Sequence, residues 1–148
     1  MTEQEKYMKE ALKEAKKALD KEEVPVGAII VKDGKIIARA HNEKETKNDS
    51  TSHAEINAIK KACKKLGSWR LLDCEMYVTL EPCSMCAGAL INSRIKKLYI
   101  GTKSNIKSNK SIIKNILQNR ESDSYVEIEY LNNKDCSQIL TNFFSNKR

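Results

Sequence analysis

Nowhere in its 148 residues does the chain run apolar for the ~20 positions that a membrane-spanning helix needs. The first residues are rich in Lys and Glu, with apolar positions spaced rather than continuous, so no secretory leader is expected. Five cysteines are an odd number, and two of them stand three apart. That argues against a disulfide framework and for a reducing cytoplasm. Proline occurs only at 25 and 82 and histidine only at 41 and 53, and three of those four positions fall in the motifs below. No internal repeat or second domain is visible, and the length suits one domain over 1–148 with a sizeable core. Acids are outnumbered by bases, 20 to 27, for a net charge of +7. One reading is a polyanionic partner such as nucleic acid. The other is a composition rich in Lys, Asn and Ile, because net charge speaks to association and not to fold.

Residues 4–20 place Met8, Ala11, Leu12, Ala15, Ala18 and Leu19 at three-and-four spacing, which predicts an amphipathic helix. Val24-Pro25-Val26-Gly27 breaks it. Ala28–Val31 and Ile36–Ala40 flank Asp33-Gly34, a hairpin signal. Residues 42–51 read as an exposed loop. A second helix spans Ala54–Leu66 and stops at Gly67, with Cys63 as a buried free thiol on its apolar face. Strands are expected at Glu75–Thr79, Lys97–Ile100 and Val126–Tyr130. Helices are expected from the cysteine turn to Asn92, around residues 112–117, and over Asp135–Phe144 with Asp135 as cap. Residues 102–111 read as loop. The alternation predicts an α/β fold, a three-layer α/β/α sandwich around a five-stranded mixed sheet.

Chemistry concentrates in Ser52-His53-Ala54-Glu55 and Glu81-Pro82-Cys83-Ser84-Met85-Cys86. Pro82 suits a helix entry, where its missing N–H costs nothing. Residues three apart share a helical face, so Cys83 and Cys86 can reach one ion from a first helical turn. The positive end of that helix favours thiolates. His53 is a third zinc-competent donor. Three protein donors leave a fourth position for water, as catalytic zinc sites do, whereas a fourth donor such as His41, Cys74 or Cys136 would close the site as a structural one. Glu55 is the candidate base for that water. Positions two apart diverge on a regular helix, so His53 is expected before regular geometry begins, with Glu55 reaching over the ion rather than binding it.

His53-Ala54-Glu55 with Pro82-Cys83-Ser84-Met85-Cys86 resembles the signature of the cytidine/deoxycytidylate deaminase superfamily. Within it, Glu23–Ala28, Asn42, Tyr77–Cys83, Met85–Ala89, Ser93-Arg94-Ile95 and Phe143-Phe144 are similar to bacterial tRNA adenosine deaminases, densely over 1–101 and sparsely at the last helix. The resemblance implies a cytidine deaminase-like fold and one zinc ion (Zn2+) per subunit, held by His53, Cys83 and Cys86, with Glu55 catalytic. It implies that Asn42 hydrogen-bonds a flipped purine in a pocket walled by Val26, Ala54, Leu80 and Pro82. The implied reaction converts the wobble adenosine of an arginine tRNA to inosine, in a cytoplasmic homodimer that docks the tRNA anticodon stem-loop.

Lys103, Lys107, Lys110, Lys147 and Arg148 are candidates for RNA phosphates. Phe143 and Phe144 cannot both face one side of a helix, so one is expected to pack and the other to stack on RNA or line the pocket; Phe144 is a candidate, and which of the two faces the site stays open. The stretch Thr102–Lys110 departs from the family's pattern, having lost the glycines and the acidic residue that relatives carry on the substrate side. Two other readings stay open. One is a free nucleobase or nucleoside deaminase acting on guanine or cytosine. The other is a non-catalytic zinc module that binds RNA.

Overall fold

The computed structural model describes residues 1–119, 121 and 124–146. Lys147 and Arg148, expected to meet RNA, lie outside the described residues. The chain runs α1 (Glu3–Asp20), β1 (Gly27–Lys32), β2 (Lys35–His41), α2 (Lys44–Lys47), α3 (Ala54–Leu66), β3 (Cys74–Leu80), α4 (Ser84–Asn92), β4 (Lys97–Thr102), α5 (Asn109–Leu117), β5 (Glu127–Tyr130) and α6 (Lys134–Asn146). The strands form one sheet in the order β2-β1-β3-β4-β5. β1 is antiparallel to β2 and to β3, while β3, β4 and β5 run parallel. The sheet is therefore mixed, with the hairpin at one edge.

The alternation of side chains along each strand builds two cores. Ala28, Ile30, Met76, Val78, Leu98 and Ile100 pack with Ala54, Ala58 and Ala62 of α3, Ala87 and Leu90 of α4, and Ile113 and Leu117 of α5. Ile29, Val31, Tyr77 and Tyr99 pack with Met8, Ala11, Leu12 and Ala15 of α1 and with Cys136 of α6. Helices thus cover both faces, as an α/β/α sandwich requires. The rings of Tyr77 and Tyr99 stack at 4.3 Å across parallel strands. Gly27 lets α1 sit directly on β1: a Cβ there would collide with the backbone of Ala11 and Ala15.

Several local expectations are corrected. Residues 44–47 form α2 inside the expected loop. Its N-cap residue Glu43 makes no side-chain cap bond. Instead the Glu23 carboxylate, from the α1–β1 connection, accepts from Thr46 N (2.6 Å), Thr46 Oγ1 (2.7 Å) and Glu45 N (3.2 Å). α5 begins at Asn109, inside the stretch read as loop. α6 is capped by Asn133, whose Oδ1 accepts from Cys136 N at 3.1 Å, and Asp135 falls within its first turn. Pro82 stands one residue before the N-cap of α4. Cys63 is half-buried rather than buried, because the helix turns its Ala54-Ala58-Ala62 stripe most directly to the sheet.

Candidate active site

His53 and Cys83 are the N-cap residues of α3 and α4, both with extended backbone (φ −79°, ψ 155° and φ −79°, ψ 175°). Neither side chain caps its own helix, so both are free to face each other. Two anchors set the start of α3. Asn42 Oδ1 accepts from Ala54 N at 2.9 Å, while its Nδ2 donates to Val24 O at 3.2 Å. Asn57 Nδ2 donates to His41 O at 3.1 Å and to Ser52 Oγ at 3.0 Å. The connection before α3 is thereby held on both sides of His53.

His53 Nδ1 lies 3.7 Å from Cys83 Sγ and 3.5 Å from Cys86 Sγ. All three donor atoms lie within 4.8 Å of one another, and among the described residues no further His, Cys, Asp or Glu joins them. A tetrahedral ion with bonds of ~2.0 Å to nitrogen and ~2.3 Å to sulfur separates its N and S donors by about 3.6 Å. The trio therefore fits zinc in donor type and in spacing. The residues that might have closed the site are engaged elsewhere. His41 faces Glu14 and Lys21, each at 3.3 Å. The Cys74 thiol donates to Leu72 O at 3.6 Å. Cys136 packs in the α1-side core.

The site's protons are distributed unevenly. The Cys86 hydrogen bond, then the His53 contact, pulls the Cys83 thiol down to about 3. The same bond and burial push Cys86 up. His53 is raised, chiefly by its bond with Cys83. Glu55, in the first turn of α3 and 4% exposed, is pushed up to about 7 by burial, against its own backbone hydrogen bond and then the charge of His53. It touches Cys86 yet stands outside the three-donor cluster. The buried carboxyl beside a three-donor site is the feature with chemical capacity. A bound cation would draw the donors into their deprotonated, ligating forms.

The expected pocket wall divides. Val26, Ala54 and Pro82 are buried, Ala54 and Pro82 next to His53 and Cys83 in the chain. Leu80, Lys103 and Phe144 share a cavity of about 490 Å³ with Thr102, Ile106 and Leu140. Asn42 lines another of about 400 Å³, with Val24, Lys44 and Phe143. Phe144 is half exposed and meets Phe143 edge to face at 5.2 Å. Lys107 is exposed, and Lys103 and Lys110 stand 5.7 and 5.1 Å from the Tyr130 ring. Glu81, Asn109 and Tyr130 were given no role from the sequence, yet Asn109 and Tyr130 both donate to the Glu81 carboxylate beside the cysteine turn. Only the position of Glu81 before Pro82-Cys83 hinted at this.

Residues 2–148 match the family model described as MafB19-like deaminase. A tRNA-specific adenosine deaminase of Bacillus subtilis (strain 168) is 46% identical over 149 residues, covering 100% of this chain and 92% of the relative. A solved structure from biochemical and structural studies of A-to-I editing by tRNA:A34 deaminases at the wobble position of transfer RNA is 37% identical. It has a TM-score of 0.83 and covers 91% of this chain and 99% of its own. A solved guanine deaminase from Bacillus subtilis is 33% identical, with a TM-score of 0.67, covering 97% of this chain and 92% of its own.

Proposed function

The chain belongs to the MafB19-like deaminase family, among relatives named tRNA-specific adenosine deaminases, and from that premise we propose that it hydrolyses the wobble adenosine of an arginine tRNA to inosine. The observation that carries this reading is the three-donor cluster of His53, Cys83 and Cys86 with the buried carboxyl of Glu55 beside it. Zinc held there supplies the Lewis acidity that makes a water molecule nucleophilic near neutral pH. Glu55 would take one proton of the attacking water and place it on a purine ring nitrogen, then take the second from the new C6 hydroxyl and pass it to the departing amine. Ammonia leaves and the carbonyl of inosine remains at C6.

Asn42 retains one amide proton and one carbonyl lone pair beyond its bonds to Val24 and Ala54, which suits it to hold the purine edge. Val26, Ala54, Leu80 and Pro82 wall the base. The base must leave its stack to arrive there, which favours a single-stranded anticodon loop. Phe144 and Lys103, in the cavity that Leu80 also lines, then offer neighbouring nucleotides a ring face and a charge. A cytoplasmic homodimer belongs to the same reading. Among the described residues, no helix is long and apolar enough to cross a membrane.

The likeness to a guanine deaminase makes the free-base reading the one to exclude. Zinc-loaded protein is incubated with an anticodon stem-loop carrying the wobble adenosine, and separately with free guanine, cytosine and their nucleosides. Inosine in the RNA is the expected result. Turnover of the free compounds alone would overturn the RNA substrate, and no turnover of any would favour a binding module.

A further inference from the structure

One buried carboxylate has no part in this chemistry. Glu81 is 4% exposed and links the end of β3 to Pro82. Its backbone N–H donates to Thr102 O at 2.9 Å, tying it to β4. Its carboxylate accepts from the Tyr130 hydroxyl of β5 at 2.5 Å and from Asn109 Nδ2, at the first residue of α5, at 2.8 Å. The same Asn109 nitrogen donates to Pro82 O at 3.1 Å. The two residues immediately before Cys83 are thus fixed from three different elements.

Burying a carboxylate is costly, and an apolar residue of similar size often serves stability as well. What a carboxylate adds is direction. Each acceptor oxygen has its own donor, so the peptide entering α4 is held in orientation as well as in place. The geometry points to Glu81 as a positioning residue for the Cys83 ligand. It holds the thiolate in the place zinc requires and, through Asn109, couples that turn to the 102–110 segment on the substrate side. Outer partners of a metal site commonly act in this way. The inference rests on the zinc-site reading above, and its test therefore reads metal release rather than deamination.

Zinc-loaded full-length protein is mixed with an excess of a chromogenic chelator, and the rate of zinc loss is followed where circular dichroism shows each variant folded. Glu81→Ala is expected to lose zinc ~10-fold faster than the parent, and Tyr130→Phe ~3-fold faster. Glu81→Gln can still accept from Asn109 and donate its amide to the Tyr130 oxygen, so its release is expected to stay within ~2-fold of the parent. Ile29→Val, packed against α1 on the opposite face of the sheet, controls for general destabilisation and is expected to release zinc at the parent rate. Parent-like release from Glu81→Ala, or release from Ile29→Val as fast as from Glu81→Ala, would overturn the role. If Glu81→Ala does not fold, Tyr130→Phe against Ile29→Val decides in the same way. A parent protein that takes up no zinc would overturn the site reading itself and this inference with it.

Discussion

Glu55 and Cys86 touch inside one buried site but carry different burdens. In the proposed mechanism Glu55 moves protons and Cys86 holds the ion, so their removal should separate. Glu55→Gln is expected to lower turnover by ~10²–10⁴-fold while zinc content and fold stay at parent values. Cys86→Ala is expected to lose the zinc and lower the melting temperature, because metal binding contributes to folding. A Glu55→Gln protein with parent turnover would assign the proton transfer elsewhere. Glu14 gives a second, independent expectation. Burial pushes its carboxyl up, but bonds to Lys17 at 2.6 Å and His41 at 3.3 Å outweigh this and hold it below the ordinary 4.5. A group depressed on folding stabilises above its unfolded pKa, and that stability is lost as the pH falls through the folded value. Acidification below about 4.5 should therefore lower the parent's thermal midpoint more than that of Glu14→Gln, and parallel curves would contradict it. The grouping of His53, Cys83 and Cys86 was legible in the sequence because metal-binding chemistry restricts both residue type and spacing, and Glu55 because it stands two residues from one of them. Glu81 was not, since its partners lie 28 and 49 residues away and no local pattern announces them.

Strands and long helices follow from periodicity because burial on one face selects it. The α1 stripe and the alternation of Ile29 and Ile30 between two cores are direct consequences. The periodicity does not reach α2 or the first turn of α5, where distant groups stabilise the backbone. α2 exists because Glu23 supplies the acceptors that its own cap residue does not. Asn109 opens α5 while its side chain bonds to Glu81, so its local polar context misled. The contact between α1 and β1 gives the test at this scale. Gly27→Ala must push α1 off the sheet or shift the strand, since backbone atoms of Ala11 and Ala15 occupy the space of the added methyl. The expected loss is ~1–3 kcal/mol of unfolding free energy, read by urea titration. An unchanged midpoint would show that α1 yields without cost.

The whole molecule places its chemistry where α/β sheets generally do, beyond the carboxyl ends of parallel strands. β3 leads through Glu81 and Pro82 into the cysteine turn, and β4 leads into the cavity lined by Thr102, Lys103 and Phe144. The antiparallel β1 brings Val26, at its amino end, to that same rim of the sheet. This convergence follows from sheet order, which the alternation of elements predicts only as a class. A net charge of +7 suits an RNA partner without specifying one. The most direct measurement is sequencing of a bacterial tRNA pool after treatment with the zinc-loaded protein. The expected result is adenosine read as guanosine at the wobble position of an arginine tRNA and nowhere else, abolished in Glu55→Gln. An unedited pool, from a preparation that converts free guanine or cytosine, would contradict the proposed function.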